Sequence, residues 1–383
     1  MRVLIAPDKF KGTLTARQAA DAIAHGWRKA RPKDKLTLLP ISDGGDGFGA
    51  VMGEASKAKP QRLKTVDAAH RPITATWWWQ ATTRTAIIES ANVIGLAMLP
   101  PGKFHPFQLD TFGLGAVVQA ARDKGARRII IGLGGSATND GGFGLARALG
   151  WKFLNRTGEE IRSWTELAEL QSIQPPVRAF PKGLITVAVD VQNPLLGQRG
   201  ATRIYGPQKG IRPQDVVAAE LCLRRLARVM RQQSGLDFAK LPGVGAAGGL
   251  GFGLATFARA RFVSGFEVFA TQVKLQPHLA KADLIVTGEG ALDRSSLMGK
   301  GVGQLATLGR AQRLPVIGLA GVIQDRGALG KLFQTIGALT GIAPPEQARR
   351  RAGFWLAELA FRVATNMRAQ SAQSGLAKSA PRG

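Results

Sequence analysis

The feature that most constrains the fold of this chain is residues 127–142, where a short apolar run ends in a loop of glycine, serine, threonine, asparagine and aspartate. An apolar run of this length, bounded by glycine, predicts a buried strand. Residues 143–149, directly after the loop, predict a helix. Glycine lets backbone N–H groups come close to a ligand, and the N-terminus of the following helix adds partial positive charge. The segment therefore predicts an α/β fold with a loop suited to a phosphorylated small molecule.

The side chains of this loop strengthen the prediction of a binding site. The carboxylate of Asp140 could hold Mg²⁺ or accept a proton. A glycine-rich turn without a binding function is the alternative, but the combination of serine, threonine, asparagine and aspartate favours function. The residues predicted to bind phosphate or substrate through backbone N–H, hydroxyl, amide or carboxylate groups are Gly135, Ser136, Thr138, Asn139 and Asp140.

The same order of strand, loop and helix recurs at both ends of the chain. Five strands, each followed by a helical segment, suffice for a flavodoxin-like doubly wound parallel sheet. Residues 1–65 plus 280–368 are predicted to form this α/β domain, with Thr15 as the N-cap of its first helix. The predicted strands lie at residues 2–6, 36–40, 283–286, 315–319 and 335–339, and the predicted helices include residues 16–29, 48–56 and 303–312.

Residues 66–279 are predicted to form an inserted second α/β domain. The run of tryptophans at residues 77–79 alternates between the two faces of a strand, which favours packing over base stacking. Residues 369–383 are rich in Ser, Ala, Gly, Lys and Arg, a composition that predicts a disordered tail. The predicted strands of the second domain are residues 73–79, 85–89, 128–131 and 184–189, and its predicted helices include residues 113–124 and 214–233.

Composition argues against several classes of protein. The single cysteine, Cys222, allows no intramolecular disulfide and favours the cytoplasm. No apolar run is long enough to predict a membrane-spanning helix. The net charge of +26 would suit a nucleic-acid binder, but the basic residues are scattered and no zinc-finger, RNA-binding or basic-zipper pattern occurs. A Walker A motif is also absent, because Gly299 and Lys300 are followed by glycine rather than Ser or Thr.

Charged residues also follow other predicted strands, and ligands of open α/β sheets bind beyond the carboxyl ends of the strands. Lys9 and Lys11 are point charges suited to phosphate or carboxylate, and Asp8 lies beside them as a further binding candidate. Asp190 ends an apolar strand and is the predicted general base, with Lys11 as its catalytic partner and Asn193 as a substrate ligand. Solvated lysines and ordinary turn or N-cap residues are the alternatives. The candidates for binding nucleotide or metal are Asp43, Asp46, Gly288, Glu289, Gly290, Asp293 and Lys300.

Seven segments, taken together and in order, resemble the bacterial glycerate kinase family, whose members phosphorylate glycerate with ATP. Each segment is weak evidence alone, but seven in the family order over nearly the whole chain are specific. The resemblance implies two α/β domains, ATP and Mg²⁺ as cofactors, and 2-phosphoglycerate as the product. The segments are residues 5–16, 42–47, 134–142, 190–195, 206–210, 245–249 and 287–290.

The chain departs from the family pattern at several positions. In residues 104–113 only Thr111 remains of the usual pair of threonines, and the usual upstream arginine is absent. Ala116 stands where glutamate is common, Ala291 where arginine is usual, and Asp46 where the longer glutamate is usual. Two cationic groups that suit carboxylate and phosphate are therefore missing. The predicted function is ATP-dependent phosphorylation of a small hydroxy acid, most directly glycerate. A catalytically weakened metabolite sensor and a nucleic-acid-associated protein are the alternatives.

Overall fold

The computed structural model describes residues 1–42, 44–297 and 301–378. Its strands in chain order are β1 (Arg2–Ile5), β2 (Lys35–Leu38), β3 (Lys59–Val66), β4 (Pro72–Gln80), β5 (Thr85–Glu89), β6 (Arg128–Gly132), β7 (Lys152–Leu154), β8 (Ser172–Gln174), β9 (Ile185–Ala188), β10 (Arg261–Val263), β11 (Leu284–Leu292), β12 (Val316–Ile323) and β13 (Thr335–Ala338).

The helices in chain order are α1 (Ala16–Ala30), α2 (Phe48–Ala55), α3 (Ala91–Ile94), α4 (Phe112–Asp123), α5 (Phe143–Ala148), α6 (Ala201–Tyr205), α7 (Val216–Ser234), α8 (Ala246–Phe257), α9 (Gly265–Gln272), α10 (Leu275–Lys281), α11 (Arg294–Leu297), α12 (Gly301–Ala311), α13 (Arg326–Leu329), α14 (Pro345–Arg350) and α15 (Ala352–Lys378). Short 3₁₀ turns occur at Leu96–Met98, Pro106–Gln108, Trp164–Glu169, Pro207–Lys209, Pro213–Asp215, Phe238–Lys240 and Leu339–Gly341.

The chain divides into two compact units. Unit 1 comprises Met1–Asp43 and Phe269–Gly383, and unit 2 comprises Gly44–Val268. Unit 1 contains a five-stranded sheet in the order β13-β12-β11-β1-β2, with every pair parallel. Renumbered within the unit, this order is 2-1-3-4-5, the strand order of flavodoxin-like sheets. The predicted flavodoxin-like parallel sheet is therefore confirmed.

Helices cover both faces of the sheet in unit 1, because its central strands carry consecutive buried apolar residues whose side chains point to opposite faces in turn. Val286 and its neighbours on one face pack against α1 and α15. On the other face α12 approaches so closely that a Cβ on Gly309 would lie 2.6 Å from the side chain of Ile285. Thr15 caps α1 as predicted, since its hydroxyl accepts a hydrogen bond from the backbone of Gln18 at 3.1 Å and the Gln18 side chain accepts one in return.

Unit 2 contains a six-stranded mixed sheet in the order β10-β9-β6-β5-β4-β3. β5, β6, β9 and β10 are parallel, whereas β3 and β4 form an antiparallel extension. An apolar core that includes Ile88, Ile131 and Val187 joins the sheet to α4 and α8. A second α/β unit is therefore present, as the sequence predicted.

The boundaries between the units differ from the predicted ones. The structure places residues 44–65 in unit 2 and residues 269–279 in unit 1, instead of the reverse. β3 pairs with β4 along eight residue pairs, and α2 packs on the same sheet. A Cβ on Gly49 of α2 would lie only 2.0 Å from the ring of Trp78, so this glycine allows the close packing. The helix after β2 was assigned to the first domain from local order alone, and its packing partner lies further along the chain.

Two further features concern the predicted tail and the membrane. α15 continues through residues 369–378, which the composition had predicted to be disordered. Alanine and glutamine recur in this stretch and favour helix. Residues 379–383 lie outside the described residues. Within the described ranges, no helix combines the length and the hydropathy needed to cross a bilayer.

Candidate active site

The loop at residues 134–142 of unit 2 follows β6 and is shaped by its glycines. Gly135, Gly141 and Gly142 have positive φ angles of 63°, 64° and 77°, a region that side chains with a Cβ rarely occupy. Gly134 lies against the backbone of Gly45, where an added Cβ would approach within 2.6 Å of its Cα atom. The glycine spacing of the sequence is thus explained by backbone geometry at these positions.

The same loop presents polar groups that lack partners. Gly135, Ser136, Thr138, Asn139 and Asp140 donate no backbone N–H hydrogen bond to any residue that the structure describes. Thr138 Oγ1 and Asn139 Oδ1 are buried and also have no partner among the described residues. Buried polar groups in proteins are nearly always hydrogen-bonded. Residues 135–140, here termed the cradle, therefore offer unpartnered backbone N–H groups and the Thr138 hydroxyl as donors for a phosphate or carboxylate ligand.

Asp140 anchors this cradle to two helices. Its Oδ2 accepts hydrogen bonds from the backbone N–H and hydroxyl of Thr111 at 2.9 and 2.7 Å and from Gly144 N–H at 2.9 Å. Its Oδ1 accepts one from Gly142 N–H at 3.2 Å. Burial, together with the nearby carboxylate of Asp110, raises the pKa of Asp140 to about 6. Both carboxylate oxygens are thus engaged by the protein, so Asp140 fixes the loop at the starts of α4 and α5.

Lys209, a buried lysine that was not among the predicted site residues, contacts this loop. Lys209 Nζ donates to Ser136 Oγ at 3.0 Å and to the carbonyl oxygen of Thr138 at 2.7 Å. Burial lowers the pKa of Lys209 to about 7, and the carboxylate of Asp140 opposes this shift. Lys209 lies in residues 206–210, one of the segments that carry the family resemblance. A motif shows that a lysine is present but does not show that it is buried.

The helix α6 places two more polar residues at this site. Thr202 Oγ1 accepts a hydrogen bond from Asn139 Nδ2 at 3.0 Å. Tyr205 donates its hydroxyl to Asn193 Oδ1 at 2.7 Å, and Asn193 Nδ2 donates to the carbonyl of Arg199 at 2.8 Å. Asn193, a predicted substrate ligand, is therefore held in place by the segment that also delivers Lys209.

The glycine-rich segment at residues 245–249 packs against the backbone of the cradle. Ala247, Gly248 and Gly249 all have positive φ angles, although they lie within the span of α8. A Cβ on Gly248 would lie 1.9 Å from the carbonyl oxygen of Thr138, so only glycine allows this approach. A non-glycine residue such as Ala247 in this conformation is strained, and such strain concentrates at functional sites.

Asp190, the predicted general base, lies two residues beyond the end of β9. Its Oδ1 accepts hydrogen bonds from Ser264 Oγ at 2.9 Å and from Gly265 N–H at 2.8 Å. These donors belong to the turn between β10 and α9, so the neighbouring strand of the sheet fixes the carboxylate. β9 in turn pairs with β6, which leads into the cradle.

Asp46 lies at the start of α2, next to the same cradle. A Cβ on Gly135 would lie 2.1 Å from Asp46 Oδ1. Glu89 at the end of β5 holds this turn, because its two oxygens accept hydrogen bonds from Gly47 and Gly49 N–H at 2.8 Å each. The exposed carboxylate of Asp46 is therefore available at the rim of the cradle. Asp43 lies outside the described residues.

Unit 1 carries a second group of predicted residues at the carboxyl ends of β1 and β11. Asp8 is buried, and its Oδ1 accepts a hydrogen bond from Lys9 N–H at 2.6 Å. Lys11 is exposed, and Gly290 lies beneath it, where an added Cβ would meet Lys11 N at 3.1 Å. Asp8 N–H also donates to the carbonyl of Gly288 at 2.8 Å. The backbone of residues 8–11 therefore lies against β11 at one edge of this sheet.

The remaining residues that were predicted to bind nucleotide or metal lie in different structural settings. Residue 288 must be glycine because β12 lies too close for a side chain. A Cβ on Gly288 would lie 1.9 Å from the carbonyl oxygen of Leu319. Glu289 is half-buried beside it. Asp293 exchanges hydrogen bonds of 3.2 Å with Ser296 and so begins α11. Lys300 lies outside the described residues. No group of three or more His, Cys, Asp or Glu side chains is arranged to hold a metal ion within residues 1–42, 44–297 and 301–378.

A loop with unpartnered N–H groups at the end of a parallel strand, together with a buried lysine and carboxylates, is typical of α/β proteins that bind phosphorylated or acidic small molecules. The sequence model of the glycerate kinase family matches residues 3–368. The chain belongs to this family.

Named relatives agree with this assignment. The chain is 36% identical to the glycerate 2-kinase of Escherichia coli K12 over 331 residues. The alignment covers 85% of this chain and 86% of the relative. The chain is 35% identical over 379 residues to the glycerate kinase of Bacillus subtilis 168, covering 96% and 98%. A solved structure described as glycerate kinase 2 from Salmonella typhimurium LT2 aligns with a TM-score of 0.81 and 33% identity, covering 97% of this chain and 99% of that one.

Proposed function

We propose that this chain transfers the terminal phosphoryl group of ATP to a hydroxyl group of glycerate, giving 2-phosphoglycerate. The observation that carries the proposal is the cradle at residues 135–140. The backbone N–H groups of all its residues except Ala137, and the hydroxyl of Thr138, lack partners among the described residues. Membership of the glycerate kinase family selects glycerate among the acids that such a cradle could bind.

The chemistry requires three tasks of the protein. Phosphoryl transfer needs positioning, neutralisation of charge and a group that accepts the hydroxyl proton. The attacking hydroxyl oxygen forms a bond to phosphorus, the bond from phosphorus to the bridging oxygen of ATP breaks, and the hydroxyl proton passes to the carboxylate of Asp190. The hydrogen bonds from Ser264 and Gly265 hold that carboxylate in a fixed orientation. Lys9 and Lys11 supply positive charge for phosphate or for the substrate carboxylate.

Mg²⁺ would supply further charge neutralisation when ATP is bound. Proteins usually hold this ion through one or two carboxylates and the substrate phosphates, so a dedicated cage of side chains is not needed. Exposed Asp46 and half-buried Glu289 suit this mode, and Asp43 remains the third candidate. We also propose a cytoplasmic location, because the chain has one cysteine and therefore no internal disulfide.

A screen of acceptors tests the proposed substrate. Purified protein is incubated with Mg²⁺ and ATP and with D-glycerate, tartronate or glycolate, and the product is assigned by phosphorus NMR. We expect D-glycerate to be the best acceptor and the phosphate to appear on its C2 hydroxyl. A product phosphorylated at C3, or a clear preference for another acid, would correct the proposal. Binding of glycerate without any turnover would instead support the sensor function, which the missing arginines, as at Ala291, favour.

A further inference from the structure

The hydrogen bonds of Lys209 fix which atom of Ser136 can act as donor. The carbonyl oxygen of Thr138 can only accept, so Lys209 Nζ donates to it across 2.7 Å. A protonated ammonium group has three N–H donors and no lone pair. It therefore also donates to Ser136 Oγ across 3.0 Å, and Ser136 is the acceptor in this contact.

The hydroxyl proton of Ser136 must then point elsewhere. Lys209 Nζ is the one hydrogen-bond partner of Ser136 Oγ in the described part of the chain. Ser136 itself lies in the cradle, next to backbone N–H groups without partners. With Lys209 protonated, Ser136 is thus left as a donor for a bound anion. With Lys209 neutral, its nitrogen has a lone pair and can accept the serine proton, which withdraws that donor from the cradle.

We propose that Lys209 is a positioning residue whose protonation makes Ser136 a hydrogen-bond donor to an anion that can only accept, either the substrate carboxylate or the transferred phosphoryl group. This inference rests on the proposed function for the identity of the ligand. It gives a task to a buried cation that the phosphoryl-transfer scheme does not otherwise use. The third N–H of Lys209 has no partner in the described residues and is available to the same ligand.

The surroundings of Lys209 make this switch responsive near neutral pH. Burial lowers its pKa to about 7, and Asp140 is the carboxylate that faces it and raises it. Asp110 in turn faces Asp140, and His70, with Arg147 nearby, pairs with Asp110. Along the chain beyond Lys209, three groups pair with one another: Arg212, Asp215 and His105.

The sign of the pH effect follows from these charges. A bound anion favours the protonated lysine, so affinity is full well below pH 7 and falls as the pH rises through the pKa. Above the pKa of Lys209, the protonated fraction falls about tenfold with each further pH unit. D-Glycerate and sulfate do not titrate between pH 6 and 9.5, so a change in the binding of either ligand belongs to the protein.

The experiment measures KM for D-glycerate and for ATP from pH 6 to 9.5 in the wild type and in the Lys209→Arg and Ser136→Ala variants. We expect the wild-type KM for one ligand to rise about tenfold per pH unit above its apparent pKa. Arginine stays protonated, so Lys209→Arg should keep a low and pH-independent KM. Ser136→Ala should have a higher KM and a weaker pH dependence, because only the third N–H of Lys209 then links the ligand to the protonation of this lysine. A rise in the KM for glycerate would show that Ser136 binds the substrate carboxylate. A rise in the KM for ATP would show that Ser136 binds the transferred phosphoryl group.

Two controls separate this inference from folding and from the proposed function. Lys182→Met removes an exposed lysine and should keep the wild-type profile. Binding of sulfate, followed calorimetrically in the wild type and in Ser136→Ala, reports on the cradle without turnover. A wild type that releases no ADP but binds sulfate more weakly above pH 7, with Ser136→Ala less sensitive to pH than the wild type, would refute the proposed function and retain the inference. A wild-type KM and sulfate affinity that do not change with pH, or a Ser136→Ala variant with the wild-type profile, would overturn it.

Discussion

Asp140 and Lys209 are opposite charges buried in one loop cluster, and burial moves the pKa of each toward neutrality. Such groups are costly to bury, and perturbed titration is common where chemistry occurs. Asp140 meets this cost with four hydrogen bonds to the protein, whereas Lys209 makes two and retains a donor. At the scale of single residues, Asp140 therefore fixes the loop, whereas Lys209 keeps one N–H donor for a ligand.

The raised pKa of Asp140 makes stability depend on pH. The folded protein holds this proton more tightly than the unfolded chain, so the contribution is full below about pH 3.8 and is lost as the pH rises through about 6. We expect the free energy of unfolding of the wild type minus that of Asp140→Asn to fall between pH 4 and 6, by up to about 1.4 kcal/mol per pH unit. Urea unfolding at several pH values measures it. The exposed Asp123→Asn variant should give a constant difference, and a difference that rises for Asp140→Asn would contradict the assignment.

The role of Asp190 as general base predicts a selective loss of rate. Asn at this position keeps the shape and removes the base, so kcat should fall by about 10²- to 10⁴-fold. The melting temperature and ATP binding should change little, because an amide oxygen can still accept the hydrogen bonds from Ser264 and Gly265. Measuring kcat and melting temperature on one preparation decides the matter. A lowered melting temperature with a near-normal kcat in the folded fraction would show that Asp190 is structural.

At the scale of elements, the left-handed turn at residues 247–249 locks α8 against the cradle. Gly248→Ala should destabilise the protein by two effects, the positive φ of 69° and a clash with the carbonyl of Thr138. Gly235 provides a matched control, because its φ is 72° but nothing lies within 4 Å of an added Cβ. We expect Gly248→Ala to lose about 1–3 kcal/mol more than Gly235→Ala in urea unfolding. Equal losses would mean that the close approach to Thr138 is unimportant.

Local elements were predicted well because their signals are local. The strand at Thr85–Glu89 and the start of α1 behind Thr15 follow from apolar runs and a capping pattern. The contribution of Lys209 was missed because burial arises only when α6 and the turn after it fold onto the loop. Asp140 was predicted as a ligand from its place in a glycine-rich loop. Two of its four hydrogen bonds come from Thr111 at the start of α4, which lies earlier in the chain.

At the scale of the whole molecule, the sequence predicted two α/β units but not where they divide. The flavodoxin-like sheet of unit 1 was predicted from the number of its strands, whereas the assignment of α2 depends on its contact with Trp78 in a later strand. Long-range pairing of this kind leaves no periodic signal in the sequence. The net charge of +26 has no structural explanation in the described residues.

The high charge keeps the nucleic-acid alternative testable at this scale. Binding that depends only on charge weakens steeply as salt is raised, since it is driven by counterion release. We expect polynucleotide binding to be lost between 50 and 200 mM salt, roughly the range over which such contacts weaken by orders of magnitude. Turnover of a small acid should persist across the same range. Salt-dependent binding without turnover would instead support the nucleic-acid function.

The rate of ADP release from ATP and Mg²⁺, with and without D-glycerate, decides whether this chain is a kinase for a small hydroxy acid. We expect D-glycerate to increase this rate strongly, and we expect the Asp190→Asn variant to lower the stimulated rate by about 10²- to 10⁴-fold. A wild-type rate that is the same with and without D-glycerate, tartronate or glycolate would contradict the kinase function.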